Sequence, residues 1–130
     1  TVGLGYQQMF GQNAFPTIGG WVPQPYLVNW GVATFTNVNE KSWGFTYAYD
    51  FSELGAKGLN ATAVYFTGSD DDVAGKQAQK SDEINLIVNY TIPEGKFKGL
   101  GVQGMYIDAD FDWKTDLKEY RVATTYTYKF

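Results

Sequence analysis

The chain has 130 residues, which suits one ordinary domain, and a net charge of −4 with neither His nor Cys. Without thiols there is no disulfide framework, and without thiols or imidazoles a zinc or haem site is not expected. The negative charge argues against nucleic-acid binding. We therefore expect no cofactor and no nucleic-acid partner. No apolar run is long enough for a membrane-spanning helix, but alternating strands remain compatible with the composition.

Strand signals recur along the chain, whereas no segment sustains the spacing of an amphipathic helix. We predict strands over residues 2–9, 42–51, 59–68, 82–91, 100–111 and 117–130. The faces of 100–111 stay ambiguous, because Val102 and Met105 have opposite parity. Residues 10–41 read as one long loop, with 26–36 extended inside it, and residues 69–80 as an acidic loop.

Two of the predicted strands have strongly different faces. In 42–51 one face is wholly aromatic, and Asp50 lies on the other. From Glu119 onward the last strand alternates as well. Its polar face carries Glu119, Arg121 and Lys129, and its apolar face includes Tyr126, Tyr128 and Phe130. Leu117 and Lys118 do not fit this alternation.

A short internal repeat connects neighbouring strands. Residues 49–53 and 57–59 (YDFSE, KGL) resemble residues 90–94 and 98–100 (YTIPE, KGL). In outer-membrane barrels the periplasmic turns are short and the extracellular loops are longer. The repeat therefore predicts two periplasmic turns, with residues 10–41 on the extracellular side.

These patterns predict an all-β fold, an antiparallel transmembrane β-barrel with its apolar faces toward lipid and its polar faces toward water. Six strands are fewer than the roughly eight of the smallest closed barrels, and an open edge is not tolerated in lipid. We expect residues 1–130 to be the C-terminal segment of one larger barrel domain. Because the chain begins at Thr1 without a signal peptide, it is either processed or a piece of a longer protein.

The sequence resembles the OprD family of outer-membrane porins. The resemblance is carried by residues 14–16 (AFP), 19–20 (GG), 40–43 (EKSW), 49–51 (YDF) and 58–59 (GL). It departs from the family at Val38-Asn39, where Pro-Gly is usual. The resemblance implies a bacterial outer-membrane porin of about 16 to 18 strands. It also implies a pore narrowed by loops and the uptake of small, carboxylate-bearing solutes.

From this resemblance we expect residues 10–41 to constrict the pore, with Phe15, Pro16, Tyr26 and Asn29 as candidate residues. Outer-membrane lipid, lipopolysaccharide and the remaining barrel strands are the expected partners, with a homotrimer as one allowed assembly.

Pore-lining candidates lie on the polar faces: Arg121, Glu119, Lys129 and Asp50. A cation facing lipid would be costly, so the lumen is the natural place for Arg121. Arg121 either guides anionic groups or forms a structural pair with Glu119, and the sequence does not decide between these. The aromatic residues at the membrane interface are expected to be Trp43, Tyr47, Tyr126, Tyr128 and Phe130.

Two acidic groups have a simpler interpretation as solvated surface. Asp70, Asp71 and Asp72 fit an exposed loop. Asp108, Asp110 and Asp112 are weak candidates for a metal site, but Trp113 occupies the place where an EF-hand loop requires Gly. We expect no metal.

Three functions remain in view. The leading one is passive, partly selective diffusion of small hydrophilic solutes through a porin, which is not an enzyme. An outer-membrane barrel enzyme is disfavoured, because without His the usual Ser-His arrangement is missing from this segment. A soluble β-barrel that binds a lipophilic ligand would need its aromatic faces turned inward.

Overall fold

A computed structural model, which describes residues 1–13, 31–70 and 77–127, shows one antiparallel sheet. Its strands are β1 (Val2–Gln8), β2 (Lys41–Asp50), β3 (Leu59–Ser69), β4 (Lys80–Thr91), β5 (Leu100–Phe111) and β6 (Leu117–Tyr126). They lie side by side in chain order. The predicted all-β class is confirmed. In the described part of the chain, no helix has the length and apolarity to cross a membrane.

The strand bounds differ slightly from the predicted ones, for local reasons. β2 ends at Asp50, because the Asp50 carboxylate accepts hydrogen bonds from the backbone N and the Oγ of Ser52, at 2.9 and 2.6 Å. This cap starts a 3-10 turn over Phe51–Leu54. β4 begins at Lys80, two residues early. Of the stretch 26–36 that was predicted to be extended within the loop, residues 31–36 belong to no strand of the sheet, and residues 26–30 lie outside the described residues.

One face of the sheet, here the outer face, is apolar and exposed. The register sets Phe45 beside Tyr65 and Tyr65 beside Ile84, and their exposed fractions are 49%, 40% and 39%. Further side chains of β1, β2, β4, β5 and β6 continue this surface: Val2, Leu4, Trp43, Tyr47, Leu86, Val88, Tyr90, Val102, Tyr120, Val122 and Tyr126. So large an exposed apolar surface indicates contact with a nonaqueous environment.

The opposite face, here the inner face, carries the polar residues and a small core. Residues of the long 10–41 connection pack on it: Phe35 is fully buried against Val64, Phe66 and Phe111. The register also settles the ambiguous strand. Met105 lies opposite Arg121 on the inner face, and Val102 lies on the outer face.

The repeated turns share one glycine conformation at corresponding positions. Gly58 and Gly99 both have positive φ, 84° and 89°. A Cβ on Gly58 would lie 2.0 Å from the carbonyl oxygen of Thr91, and one on Gly99 would lie 2.2 Å from that of Thr127. The sequence repeat therefore encodes a backbone contact that only glycine allows.

The Asp70 part of the acidic-loop prediction is wrong. Asp70 is 6% exposed, and its carboxylate accepts a hydrogen bond from the backbone N of Gln79 across the loop. The side chain closes the loop instead of facing solvent, which satisfies a backbone donor that the end of the ladder leaves unpaired. Asp71 and Asp72 lie outside the described residues.

Candidate functional site

Residues 31–37 lie along the inner face near the loop end of the strands. The ring centroids of Phe35 and Phe66 are 5.9 Å apart, and the side chain of Gln7 donates a hydrogen bond to the Phe35 carbonyl at 2.7 Å. Gly68 leaves room for the Phe35 ring, since a Cβ there would lie 2.5 Å from it. The inner face of the strands thus carries a second layer at this end.

Glu83 is the polar centre of this layer. Its Oε2 accepts hydrogen bonds from the backbone N of Val32 and Ala33 at 2.7 and 2.6 Å, and its Oε1 accepts one from Asn85 Nδ2 at 2.7 Å. The residue is only 1% exposed. Three hydrogen bonds to the carboxylate offset much of the free-energy cost of burying it.

Arg121 lies on the inner face, nearer the turn end than Glu83. Its Nε and Nη2 donate to the two carboxylate oxygens of Glu119, at 2.6 and 3.1 Å. The two side chains are 42% and 37% exposed, so this forked pair remains accessible from the inner side. This geometry is that of the structural pair between Arg121 and Glu119. The pair also leaves a guanidinium group on the inner face.

Nearer the turn end than Arg121, a row of side-chain amides crosses three strands of the inner face. Gln103 Nε2 donates to Asn89 Oδ1 at 2.7 Å, and Asn89 Nδ2 donates to Asn60 Oδ1 at 3.0 Å. The register continues this row to Asp50 on β2. The turn end of the inner face is therefore a hydrogen-bonding surface that water or a polar solute can contact.

The other pore-lining and loop candidates have different positions. Asp50 shares the inner face but uses its carboxylate as the cap of the 3-10 turn. The remaining candidates lie outside the described residues: Phe15, Pro16, Tyr26, Asn29 and Lys129.

The predicted aromatic residues that the structure describes lie on the outer face. Trp43, Tyr47 and Tyr126 are 43%, 56% and 60% exposed. Trp43 packs on Tyr6, with ring centroids 4.6 Å apart. Tyr128 and Phe130 lie outside the described residues.

The outer face becomes charged at the loop end. Lys118, which did not fit the alternation, pairs with Asp108 at 3.0 Å, and Lys80 pairs with Asp82 at 2.7 Å. Tyrosine hydroxyls donate to both carboxylates. Such pairs are tolerated on a membrane-facing surface near the interface, where the cost of charge falls.

Two of the three aspartates that were weak candidates for a metal site have different partners. Asp108 binds Lys118, and the Asp112 carboxylate accepts a hydrogen bond from the backbone N of Lys80 at 2.8 Å. Across residues 1–13, 31–70 and 77–127, no three His, Cys, Asp or Glu side chains are grouped so as to hold a metal ion.

The sequence alone places Glu83 on the polar side of its strand but assigns it no role. The alternation around it (Glu83, Asn85 and Asn89 against Ile84, Leu86 and Val88) gives its face. Its partners are backbone N–H groups about fifty positions away, and these carry no side-chain signal. Of the row of amides, only Asn89 could be placed on a polar side, because the faces of residues 100–111 were ambiguous and the register between strands does not follow from the sequence.

Comparisons with known proteins agree with this architecture. The model of the family described as outer membrane porin, OprD family, matches residues 1–130. Among solved structures, OccAB4 of Acinetobacter baumannii is 36% identical with a TM-score of 0.87, covering 99% of this chain and 33% of its own. OpdL of Pseudomonas aeruginosa is 35% identical with a TM-score of 0.87, covering 96% and 35%.

OccAB3 of Acinetobacter baumannii is 31% identical with a TM-score of 0.89, covering 99% of this chain and 35% of its own. The chain thus spans about a third of the length of the structures it matches. No curated protein sequence matches the chain significantly.

Proposed function

Because the chain belongs to the OprD family of outer-membrane porins, we propose that it is a section of channel wall for passive diffusion of small hydrophilic solutes. The family lies in the outer membrane of Gram-negative bacteria. The observation that carries the proposal is the two-faced sheet. Its outer face is apolar and exposed, and its inner face carries Arg121, Glu119 and the row of amides.

The selectivity of the channel is proposed to favour solutes that bear a carboxylate. Arg121 is the guiding group, because its guanidinium is planar and always charged and can bind a carboxylate through two hydrogen bonds. Glu119 holds the guanidinium by two hydrogen bonds, at 2.6 and 3.1 Å, and limits its net positive field. The expected preference for anions is therefore partial.

The remaining predictions from the sequence belong to the same proposal. Residues 10–41 narrow the pore, with Phe15, Pro16, Tyr26 and Asn29 as lining residues, and Lys129 and Asp50 extend the charged inner wall. Lipopolysaccharide contacts the outer face at its charged loop end, where Lys80 and Lys118 lie. The rest of the barrel comes from further strands, about 16 to 18 in all, and three barrels associate.

The alternatives are less well supported. A soluble barrel that binds a lipophilic ligand needs enclosed apolar side chains, whereas Phe45, Leu86 and Val122 are 49%, 43% and 80% exposed. We also propose that the protein is not an enzyme, because it belongs to a family of porins.

The test is ion selectivity in planar bilayers, measured as reversal potential across a salt gradient with the barrel that contains this chain. Arg121→Gln should shift the preference toward cations, and Glu119→Gln should shift it toward anions, because each removes one sign of charge from the wall. Val122→Ala, on the outer face of the same strand, is the matched control and should change nothing.

Conduction without any shift in the two charge variants would remove Arg121 and Glu119 from the selectivity proposal. A folded wild-type barrel that does not conduct would overturn the channel function itself.

A further inference from the structure

We infer that Glu83 is the positioning residue that holds residues 31–36 against the barrel wall and thereby sets the width of the pore. The inference deepens the proposed function and rests on it. It assigns to a buried carboxylate a task that Arg121 does not perform and that Gln7 and the small core around Phe35 support.

The contacts of Glu83 are those of a clamp on the chain. One oxygen, Oε2, binds two consecutive backbone N–H groups, those of Val32 and Ala33, at 2.7 and 2.6 Å. Successive N–H groups directed at one anion form a strong binding site, since both bonds are charge-assisted. The contact joins residues separated by fifty positions, so it fixes the connection to the wall and not to its own neighbours.

The sequence makes room for this contact on the loop side. A Cβ on Gly31 would lie 1.5 Å from Glu83 Oε1, so only glycine lets the loop approach the carboxylate this closely. Next to the clamp, Ala33 and Phe35 enter the small core at 4% and 0% exposure. The clamp and the core therefore hold the same six residues in one place.

The hydrogen-bond partners of Glu83 are N–H donors. Among the ion pairs found between described residues, none includes Glu83, and its third hydrogen bond comes from Asn85 Nδ2 at 2.7 Å. Loss of the carboxylate would take the Glu83 acceptor away from the N–H group of Val32, which is half-buried, and from that of Ala33, which is buried. Such orphaned donors favour detachment of the loop into water, which supplies new acceptors.

An amide at position 83 should preserve most of the clamp. Its one carbonyl oxygen can still accept from both N–H groups, while its NH₂ takes the place of Oε1. Asn85 Oδ1 is buried without a hydrogen-bond partner, so rotation of the Asn85 amide would turn an acceptor toward that NH₂. Glu83→Gln is therefore the conservative variant, and Glu83→Ala is the disruptive one.

The experiment combines two readouts on the refolded barrel that contains this chain. Hydrogen exchange of a peptide covering residues 31–36 reports attachment of the loop, and single-channel conductance reports pore width. In Glu83→Ala we expect exchange at least about tenfold faster and a larger, noisier conductance, with Glu83→Gln close to wild type. Leu86→Ala, on the outer face of the same strand, is the control and should alter neither readout.

Gly31→Ala tests the same clamp from the loop side, and it leaves every wall residue intact if Glu83→Ala fails to fold. It should speed exchange and raise conductance in the same direction. Unchanged exchange in both variants would overturn the clamp. Faster exchange with unchanged conductance would overturn the control of pore width. A folded wild type that does not conduct would refute the channel function, whereas the exchange result would still decide the clamp.

Discussion

Leu86 tests which face of the sheet meets lipid. It lies within the 12 residues of β4, on the outer face, and is 43% exposed. At about 3.4 Å per residue it is roughly 20 Å from Lys80 and roughly 17 Å from Thr91 along the strand. With a tilt of about 40° these distances become depths of roughly 15 and 13 Å, close to the middle of an apolar band about 25 Å tall.

Leu86→Lys should therefore destabilise the barrel by about 2 to 4 kcal/mol, the cost of a lysine at the bilayer midplane. The neighbouring substitution Ile87→Lys places the same side chain on the inner face, where water is available. It should cost no more than about 1 kcal/mol, the range of ordinary surface changes with some lost packing.

The assay is the free energy of unfolding in lipid vesicles, followed by urea titration and gel mobility of the folded barrel that contains this chain. The comparison between the two lysines matters more than either value, because they share strand, depth and chemistry. Equal destabilisation of the two variants, or a greater cost for Ile87→Lys, would refute the assignment of the faces.

Two further predictions concern backbone fit and packing. Gly58→Ala should destabilise more than Gly95→Ala: both have positive φ, but only Gly58 faces a carbonyl oxygen 2.0 Å from the added Cβ, and urea titration compares them. Phe35→Ala should loosen residues 31–36 by about 3 kcal/mol, since a fully buried ring is lost while the strands stay paired. Limited proteolysis should then cut there before the sheet unfolds, and resistance equal to wild type would contradict the packing.

The faces of the sheet could be predicted because a strand has a period of two. The polar side of β4 and the aromatic side of β2 follow directly from that period. The face of β5 did not follow, because Val102 and Met105 are both apolar and lie on opposite sides. Only the pairing of Met105 with Arg121 separates them. Register is a property of two strands, and one strand's composition does not contain it.

The second layer on the inner face was beyond sequence reasoning for a different reason. The Glu83 clamp joins a side chain to the backbone of Val32 and Ala33, and backbone N–H groups look alike in every sequence. Asp70 is similar, since its partner is the backbone N of Gln79. From sequence alone, an acidic residue in a loop is expected to face solvent. A buried role as acceptor becomes visible only when the structure shows which backbone N–H groups are left unpaired at the ends of the strands.

The glycine contacts at the two turns have a consequence for the dimensions of the barrel. Gly58 sits against Thr91 and Gly99 against Thr127, so each fixes where one strand stops relative to its neighbour. In a closed barrel this stagger, summed around the sheet, determines the strand tilt and with it the diameter. Two small residues at the turn end thus help to set the bore of the whole cylinder. A shift at either one would change its cross-section without altering a single luminal side chain.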